Sequence, residues 1–276
     1  MSFACKILAD SVGPTGSRLT TLEVTFPRIV LAEFNTHRML SRNSASSRAI
    51  PVEKRIAQVE SNPFMPAAFG KNRPGMQATE TLDACETLDA AKEWQAAKDA
   101  ALHHASRLAA LGVHKQLANR LLEPFLWHTV IVSATEWSNF FALRCHPDAQ
   151  PEIRTIAEMM RSAMADSSPV YLHGGIWHLP LVPDVGELLG TFSELDVAMI
   201  SAGRCARVSY LTHDGKRDPV ADLALAAKLR ASGHMSPFEH VAYATDEGAM
   251  IGNFRDWYQL RKRLPFEHDF SKASRQ

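Results

Sequence analysis

"TLEVTFPRIVLAEFNTHRMLSRNSASSR", residues 21–48, frames the rest of the chain. Its start alternates β-formers with polar residues, which predicts a strand over Leu19 to Phe26. Pro27 has no N–H for a ladder and stops it. "RIVLAEF" then shows helical spacing, predicting a helix from Arg28 to about Arg38. The stretch that follows is polar: Arg38, Arg42 and Arg48 fall within eleven residues together with Ser41, Ser44, Ser46 and Ser47. It is expected to cap that helix. Guanidinium forks and short hydroxyl donors suit a phosphate held in a fixed orientation, although a solvated basic loop has the same composition.

Around this stretch, 276 residues with 46% hydrophobic content can bury a substantial core. Lys plus Arg and Asp plus Glu balance at 30 each, so no bulk positive field exists to hold a nucleic-acid polymer. Any basic site is local. No run of about 18 apolar residues could span a bilayer. "MSFACKILADSVG" lacks a secretory pattern, and a soluble, cytoplasmic protein is expected. Cys5, Cys85, Cys145 and Cys205 are far apart with no CxxC pair, which fits reduced structural thiols. His103 and His104 sit in a helical pattern, and His173 and His178 flank "GGIW". No carboxylate joins them at metal-ligand spacing, so no metal is expected.

Further along, "IPVEKRIAQVE" predicts one short helix in a Pro- and Gly-rich excursion, and residues 83–111 predict the longest helix, ending at Gly112. A helix over Val113–Leu122 stops at Glu123-Pro124, "FLWHTVIVSAT" is β-rich, and "EWSNFFALR" is helical again. Asp148 is placed to cap a long amphipathic helix. Residues 167–192 carry three prolines and four glycines, as a connector would. Helices are expected near 194–208 and 219–232, and at "GNFRDWYQLRKRL". The class is α+β, helices in the majority, with no βαβ series.

Two further clusters carry chemistry. In "ALRCHPDAQPEIR", Gln150 and Arg154 are one helical turn apart, which lets an amide and a guanidinium read a flat heterocycle from one face. An ordinary surface pair has the same spacing. In "SGHMSPFEH", Ser236 and Glu239 read as a capping box with Pro237 at the first helical position.

Taken together these segments resemble the flavin-dependent thymidylate synthases. That family's signature is Arg-His-Arg, seven residues, then Ser; here His37, Arg38 and Ser46 keep it, with Asn43 and Arg48 in place. "FFALRCHPDAQPEIR" is similar to a second family element, Arg120 in "QLANRLLEP" to a third, and "ARVSY" and "SPFEH" occur verbatim at 206–210 and 236–240. In the family those last two precede the Arg-His-Arg segment, whereas here they follow it. The chain therefore looks circularly permuted: 1–166 holds the nucleotide and flavin motifs, 167–192 connects, and 193–276 completes the same domain. "FRDWYQLRKR" faintly echoes the helix that leads into the signature.

The resemblance implies a mixed sheet with flanking long helices, and a homotetramer with shared sites. It implies conversion of dUMP to dTMP with FAD, methylenetetrahydrofolate and NADPH. By position, Ser46, Arg48, Arg120, Gln150 and Arg154 would hold the nucleotide, Arg154 being catalytic, while His37, Arg38, Asn43, Arg144, Ser209 and His240 would line the flavin and folate region. Departures exist: Thr36 replaces the first arginine, Glu33 a glutamine, Ser44 a glutamate, Ala49 a tyrosine and Ala142 an asparagine. A threonine lacks both the charge and the donor fork of arginine, so contacts there must differ. Hydroxymethylation of the nucleotide, or nucleotide binding without catalysis, are the alternatives.

Overall fold

A strand that Pro27 closes organises the main sheet. The computed structural model describes residues 2–75, 77, 78, 80–209, 218–265 and 269. Strand β1 (Ala4–Val12) pairs antiparallel with β2 (Arg18–Pro27). A 3-10 turn, Arg28–Val30, leads into α1 (Leu31–Asn35), and β3 (Ser41–Ser44) follows. Then come α2 (Val52–Ser61), α3 (Ala84–Ala110), α4 (Lys115–Ala118) and a 3-10 segment, Asn119–Phe125. β4 (Trp127–Ala134), α5 (Ser138–Arg144) and α6 (Pro151–Asp166) complete this part.

The first sheet runs β3-β4-β2-β1 and ends on β5 (Val170–Tyr171), which pairs parallel with β1. Side chains alternate across it, as the period of two demands. Leu22, Val24, Val130 and Val132 face Ile153, Ile156 and Met160 of α6 in the main core, while Ile131 packs with Cys205 and Val208 on the other side. β6 (Trp177–His178), α7 (Val185–Leu189), α8 (Glu194–Ser209) and α9 (Pro219–Ala231) lead to β7 (Ala242–Ala244). A hairpin of β8 (Met250–Ile251) and β9 (Phe254–Arg255) precedes β10 (Trp257–Gln259), and the second sheet runs β10-β7-β6. No helix among the described residues is long and apolar enough to cross a membrane.

Several expected elements appear with a chemical cause. Asp83 and Glu86 form a reciprocal capping box at the start of α3, and Gly112, at φ 77°, follows its end. Gly203 lets α8 and α9 touch: a Cβ there would lie 2.3 Å from the Asp222 carbonyl oxygen. At that contact the buried Asp222 carboxylate accepts from Arg204 Nε at 3.0 Å and Arg207 Nε at 2.5 Å.

Other expectations are corrected. The helix expected to Arg38 ends at Asn35, because Thr36 Oγ1 donates to the Glu33 carbonyl at 2.7 Å and Arg42 Nη1 donates to the carbonyls of Phe34 and His37. The polar stretch is then a strand, with Ser41 and Asn43 turned inward. The helix expected over 113–122 breaks into one short α turn and the 3-10 segment, with Pro124 inside it. Gln150, not Asp148, is the N-cap of α6, with Pro151 at its first position. Ser236 opens a 3-10 turn and, instead of capping it, donates to Asn43 Oδ1 at 3.2 Å. The connector carries β5, β6 and α7. "GNFRDWYQLRKRL" forms strands and a 3-10 turn: Asp256 sits at φ 59° and Trp257 and Gln259 are buried on alternate positions.

A chain of buried polar groups ties the later segments to the first sheet. Ser11 Oγ is hydrogen-bonded to His178 Nδ1 at 2.8 Å, and His178 Nε2 to Thr21 Oγ1 at 2.8 Å. Thr21 continues to Ser133 Oγ at 2.6 Å, and Ser133 to His240 Nδ1 at 2.9 Å. Burial pushes His178 down to about 3 and His240 likewise to about 3, so both are neutral.

The unfolded chain takes these protons near the ordinary value of 6.5, whereas the folded one waits until about 3. Stability is therefore full above the first value and is lost as pH falls towards the second. Urea midpoints between pH 7 and pH 4 should decline on acidification, and less steeply in a folded His178→Asn variant; equal slopes would contradict this. Gly203→Ala should destabilise by about 1–3 kcal/mol through overpacking, read from the same curves.

Candidate active site

The turn at Ser46–Ala49 follows β3 and is closed by the Ala49 N–H donating to the Ser46 carbonyl at 2.9 Å. Its residues alternate in exposure: Ser46 and Arg48 point out, while Ser47 is buried between them. The 3-10 segment after α4 holds the turn from below. Asn119, fully buried, donates through Nδ2 to the carbonyls of Ser47 at 2.8 Å and Ile50 at 2.9 Å. Glu123 Oε1 accepts from the Ser47 hydroxyl, from Arg120 Nη1 at 2.9 Å and from Arg28 Nη2 at 2.9 Å. The turn that carries Ser46 and Arg48 and the segment that carries Arg120 are thereby tied into one ledge through Glu123.

The turn also borders a cavity of about 310 Å³ between Asn43, Ser44, Ser46 and Arg48 on one side and Ala206, His234 and Ser236 on the other. Residues from both ends of the chain thus make one concavity. Asn43 joins its walls, donating through Nδ2 to the Cys205 carbonyl at 3.1 Å while its Oδ1 accepts from Ser236. From behind, Asn253 Nδ2 and Gln259 Nε2 donate to Ser41 Oγ at 3.0 and 3.1 Å, fixing the start of β3.

A second cluster lies at the end of α1. Arg144 Nε donates to His37 Nε2 at 2.9 Å, and its Nη2 lies 3.4 Å from Thr36 Oγ1. His37 is buried edge-on against Phe140 and is pushed down to about 4, by burial first and then by Arg144 and Arg42. It is neutral and accepts. Burial, with Arg38 nearby, also lowers Arg42, and Glu239 opposes the shift. Glu239 is itself paired with Arg261. Arg38 is exposed, so this corner collects cationic donors around a neutral imidazole.

The remaining candidates fall elsewhere. Arg154 lies on the first turn of α6, its guanidinium paired with Glu158 at 3.7 Å and its side chain 37% exposed. Gln150, exposed at the N-cap, accepts the Arg154 N–H on its carbonyl at 3.0 Å. Both sit beyond the short link from Arg144, and Arg154 is not among the contacts that hold the ledge. His240 is fully buried against Ser133, with Nε2 unpartnered, and so backs the site from inside. Ser209 is in the last turn of α8, its side chain outside the described residues. Burial raises Cys5 to about 11 and holds the fully buried Cys205 well above the usual thiol range, which leaves neither poised as a thiolate.

Sequence reasoning missed Asn119 and Glu123. Asn119 fell inside the expected helix and Glu123 at its stop, and only the fold shows them reaching a turn some 70 positions earlier. A carboxylate three residues after a candidate phosphate-binding arginine was the available signal.

A family model described as thymidylate synthase complementing protein (Thy1) matches residues 18–170, more than half of the chain. Among solved structures, the chain is similar to a UMP/dUMP methylase, PolB from Streptomyces cacaoi, bound with 5-Br UMP. That match has 17% identity and a TM-score of 0.51 and covers 60% of this chain and 90% of that one. The same methylase bound with 5-Br dUMP matches at 17% identity and a TM-score of 0.50, covering 60% of this chain and 91% of that one. No curated protein matches. At this identity the structural likeness concerns the fold.

Asn119→Ala would strip the buried carbonyls of Ser47 and Ile50 of a shared donor and should cost about 1–3 kcal/mol. Urea unfolding checks this, and an unchanged midpoint would show that the turn does not depend on the staple.

Proposed function

The chain belongs to the family of thymidylate synthase complementing proteins, the flavin-dependent thymidylate synthases, and from that membership we propose that it converts dUMP to dTMP. Methylenetetrahydrofolate would donate the carbon and NADPH the electrons. The carrying observation is the ledge: Ser46 and Arg48 face outward on a turn stapled to the segment that presents Arg120, beside a cavity of small-molecule size. Two guanidinium groups and a hydroxyl match a nucleoside monophosphate. Thy1 family membership and this donor set support the same substrate class.

FAD fits the corner at His37. Arg38, Arg42 and Arg144 are cationic donors suited to a diphosphate, and the neutral His37, held edge-on against Phe140, can border an aromatic ring. Bound there and reduced, the flavin would supply the hydride that turns a transferred methylene into a methyl group.

The protein's own task is to make uracil C5 nucleophilic. Attack from C5 pushes charge onto a ring carbonyl, and a fixed guanidinium in a dry site stabilises that charge as it develops. Arg154, with Gln150 beside it, is assigned this role, delivered from a neighbouring copy in a homotetramer with shared sites. Its partial exposure and the separate placement of the ledge support delivery from another copy. C5 gives up its proton as the new carbon–carbon bond settles, and the folate leaves as tetrahydrofolate.

Ala206, Ser236 and Pro237 come late in this chain yet they wall the same cavity as β3. This supports a circularly permuted family member in which 1–166 and 193–276 complete one domain across the connector 167–192. Ser44 lines the cavity where the family has a glutamate. A smaller neutral side chain there leaves room for water, which favours hydroxymethylation as the second reading.

Anaerobic incubation with dUMP, methylenetetrahydrofolate, FAD and NADPH, followed by mass spectrometry, should yield dTMP. A hydroxymethylated nucleotide would select the second reading, and unchanged dUMP would refute both. Arg154→Ala should reduce turnover at least about a hundredfold while flavin absorption is retained. Normal turnover in that variant would refute its role.

A further inference from the structure

Glu123 stands at the centre of an uneven charge cluster. Arg28, Arg55 and Arg120 surround it, and the two that approach its carboxylate directly differ sharply in environment. Arg28 is a buried partner, with its side chain 11% exposed and a second bond from Nη1 to His128 Nδ1 at 3.1 Å. Arg120 is 54% exposed and is held by Glu123 at 2.9 Å on the same oxygen. Beneath them Arg55 is almost fully buried, with Nε unpartnered and Gln58 Oε1 on Nη1, and burial lowers it to about 10. His128 is neutral in this surrounding, pushed down to about 3 by burial and then by Arg28 and Arg55.

We propose that Glu123 is a positioning residue for the nucleotide phosphate: it parks the Arg120 guanidinium beside the Ser46–Arg48 turn, and releases it to an arriving dianion while Arg28 keeps the carboxylate in place. The proposal rests on the nucleotide reading above. Its physical basis is competition. Glu123 and a phosphate are both acceptors for Arg120, and the exposed ion pair is weak enough to exchange. Glu123 cannot swing away with Arg120, because Ser47 and Arg28 hold the same oxygen. The carboxylate therefore remains close to the bound phosphate and weakens its hold, so that binding is strong enough to select a monophosphate yet loose enough to let the product leave. No such competition acts on a nucleoside without phosphate.

Binding of dUMP and of deoxyuridine should be measured by calorimetry for the full chain, for Glu123→Gln, for Arg120→Ala and for the double variant. Glutamine keeps an acceptor for Ser47 and removes the charge. Glu123→Gln should tighten dUMP roughly threefold to tenfold and leave deoxyuridine unchanged, and the gain should vanish when Arg120 is absent. A purely structural role would move both ligands together, which overturns the proposal, as does an unchanged or weakened dUMP affinity in a folded variant. Should Glu123→Gln not fold, Glu123→Asp keeps a negative charge in the cluster while drawing the shared oxygen back from Arg120. It should shift dUMP in the same direction, and no shift overturns the proposal equally. A parent protein that binds no pyrimidine monophosphate fails the nucleotide reading itself, and this inference with it. A parent that binds dUMP with an affinity indifferent to residue 123 fails this inference alone.

Discussion

Two uncharged imidazoles, His178 and His240, reach from late segments into the first sheet and end on hydroxyls of β1, β2 and β4. Burying a polar group without a partner is costly, and both ring nitrogens of His178 and Nδ1 of His240 find theirs only when the connector, the SPFEH turn and the sheet are all in place. The chain of Ser11, His178, Thr21, Ser133 and His240 therefore makes the placement of β6 and of the Ser236–Glu239 turn conditional on the sheet. Apolar packing then follows on both sides, with α6 on one face and α8 on the other.

From that constraint the site follows by short steps. With His240 anchored, the preceding turn places Ser236 on Asn43, and α8 offers the Cys205 carbonyl to the same amide. The hairpin beyond β7 brings Asn253 and Gln259 onto Ser41. β3 is thus pinned along its length by residues 162 to 218 positions away, and it delivers the Ser46–Ala49 turn at a defined height. Asn119 and Glu123 receive that turn and set Arg120 beside it. Rigid support beneath exposed donors is what orientation of an anionic ligand requires.

Local chemistry made much of this legible in advance. Pro27 marked the end of β2, the Asp83–Glu86 box and Gly112 bracketed α3, and Ser46 and Arg48, singled out in the sequence, border the cavity. What sequence could not reveal was structure imposed by distant partners. Residues 41–44 have no apolar alternation; they are a strand because Ser41 and Asn43 are satisfied from the other end of the chain. "RDWYQL" has helical spacing, but Trp257 and Gln259 are drawn inward on alternate positions and Asp256 takes a left-handed turn. Glu123 looked like the residue before a helix-ending proline, although its carboxylate ties the Ser46–Ala49 turn to Arg120.

In the proposed function, distant guanidinium and hydroxyl groups converge on one pyrimidine monophosphate. A crystal structure of the protein with dUMP tests it most directly. The phosphate should lie within hydrogen-bonding distance of Ser46 Oγ and of the Arg48 and Arg120 guanidinium groups, with Arg154 of a neighbouring copy over the uracil carbonyl. A phosphate bound away from that turn, with Arg154 facing solvent in every copy, would contradict the account.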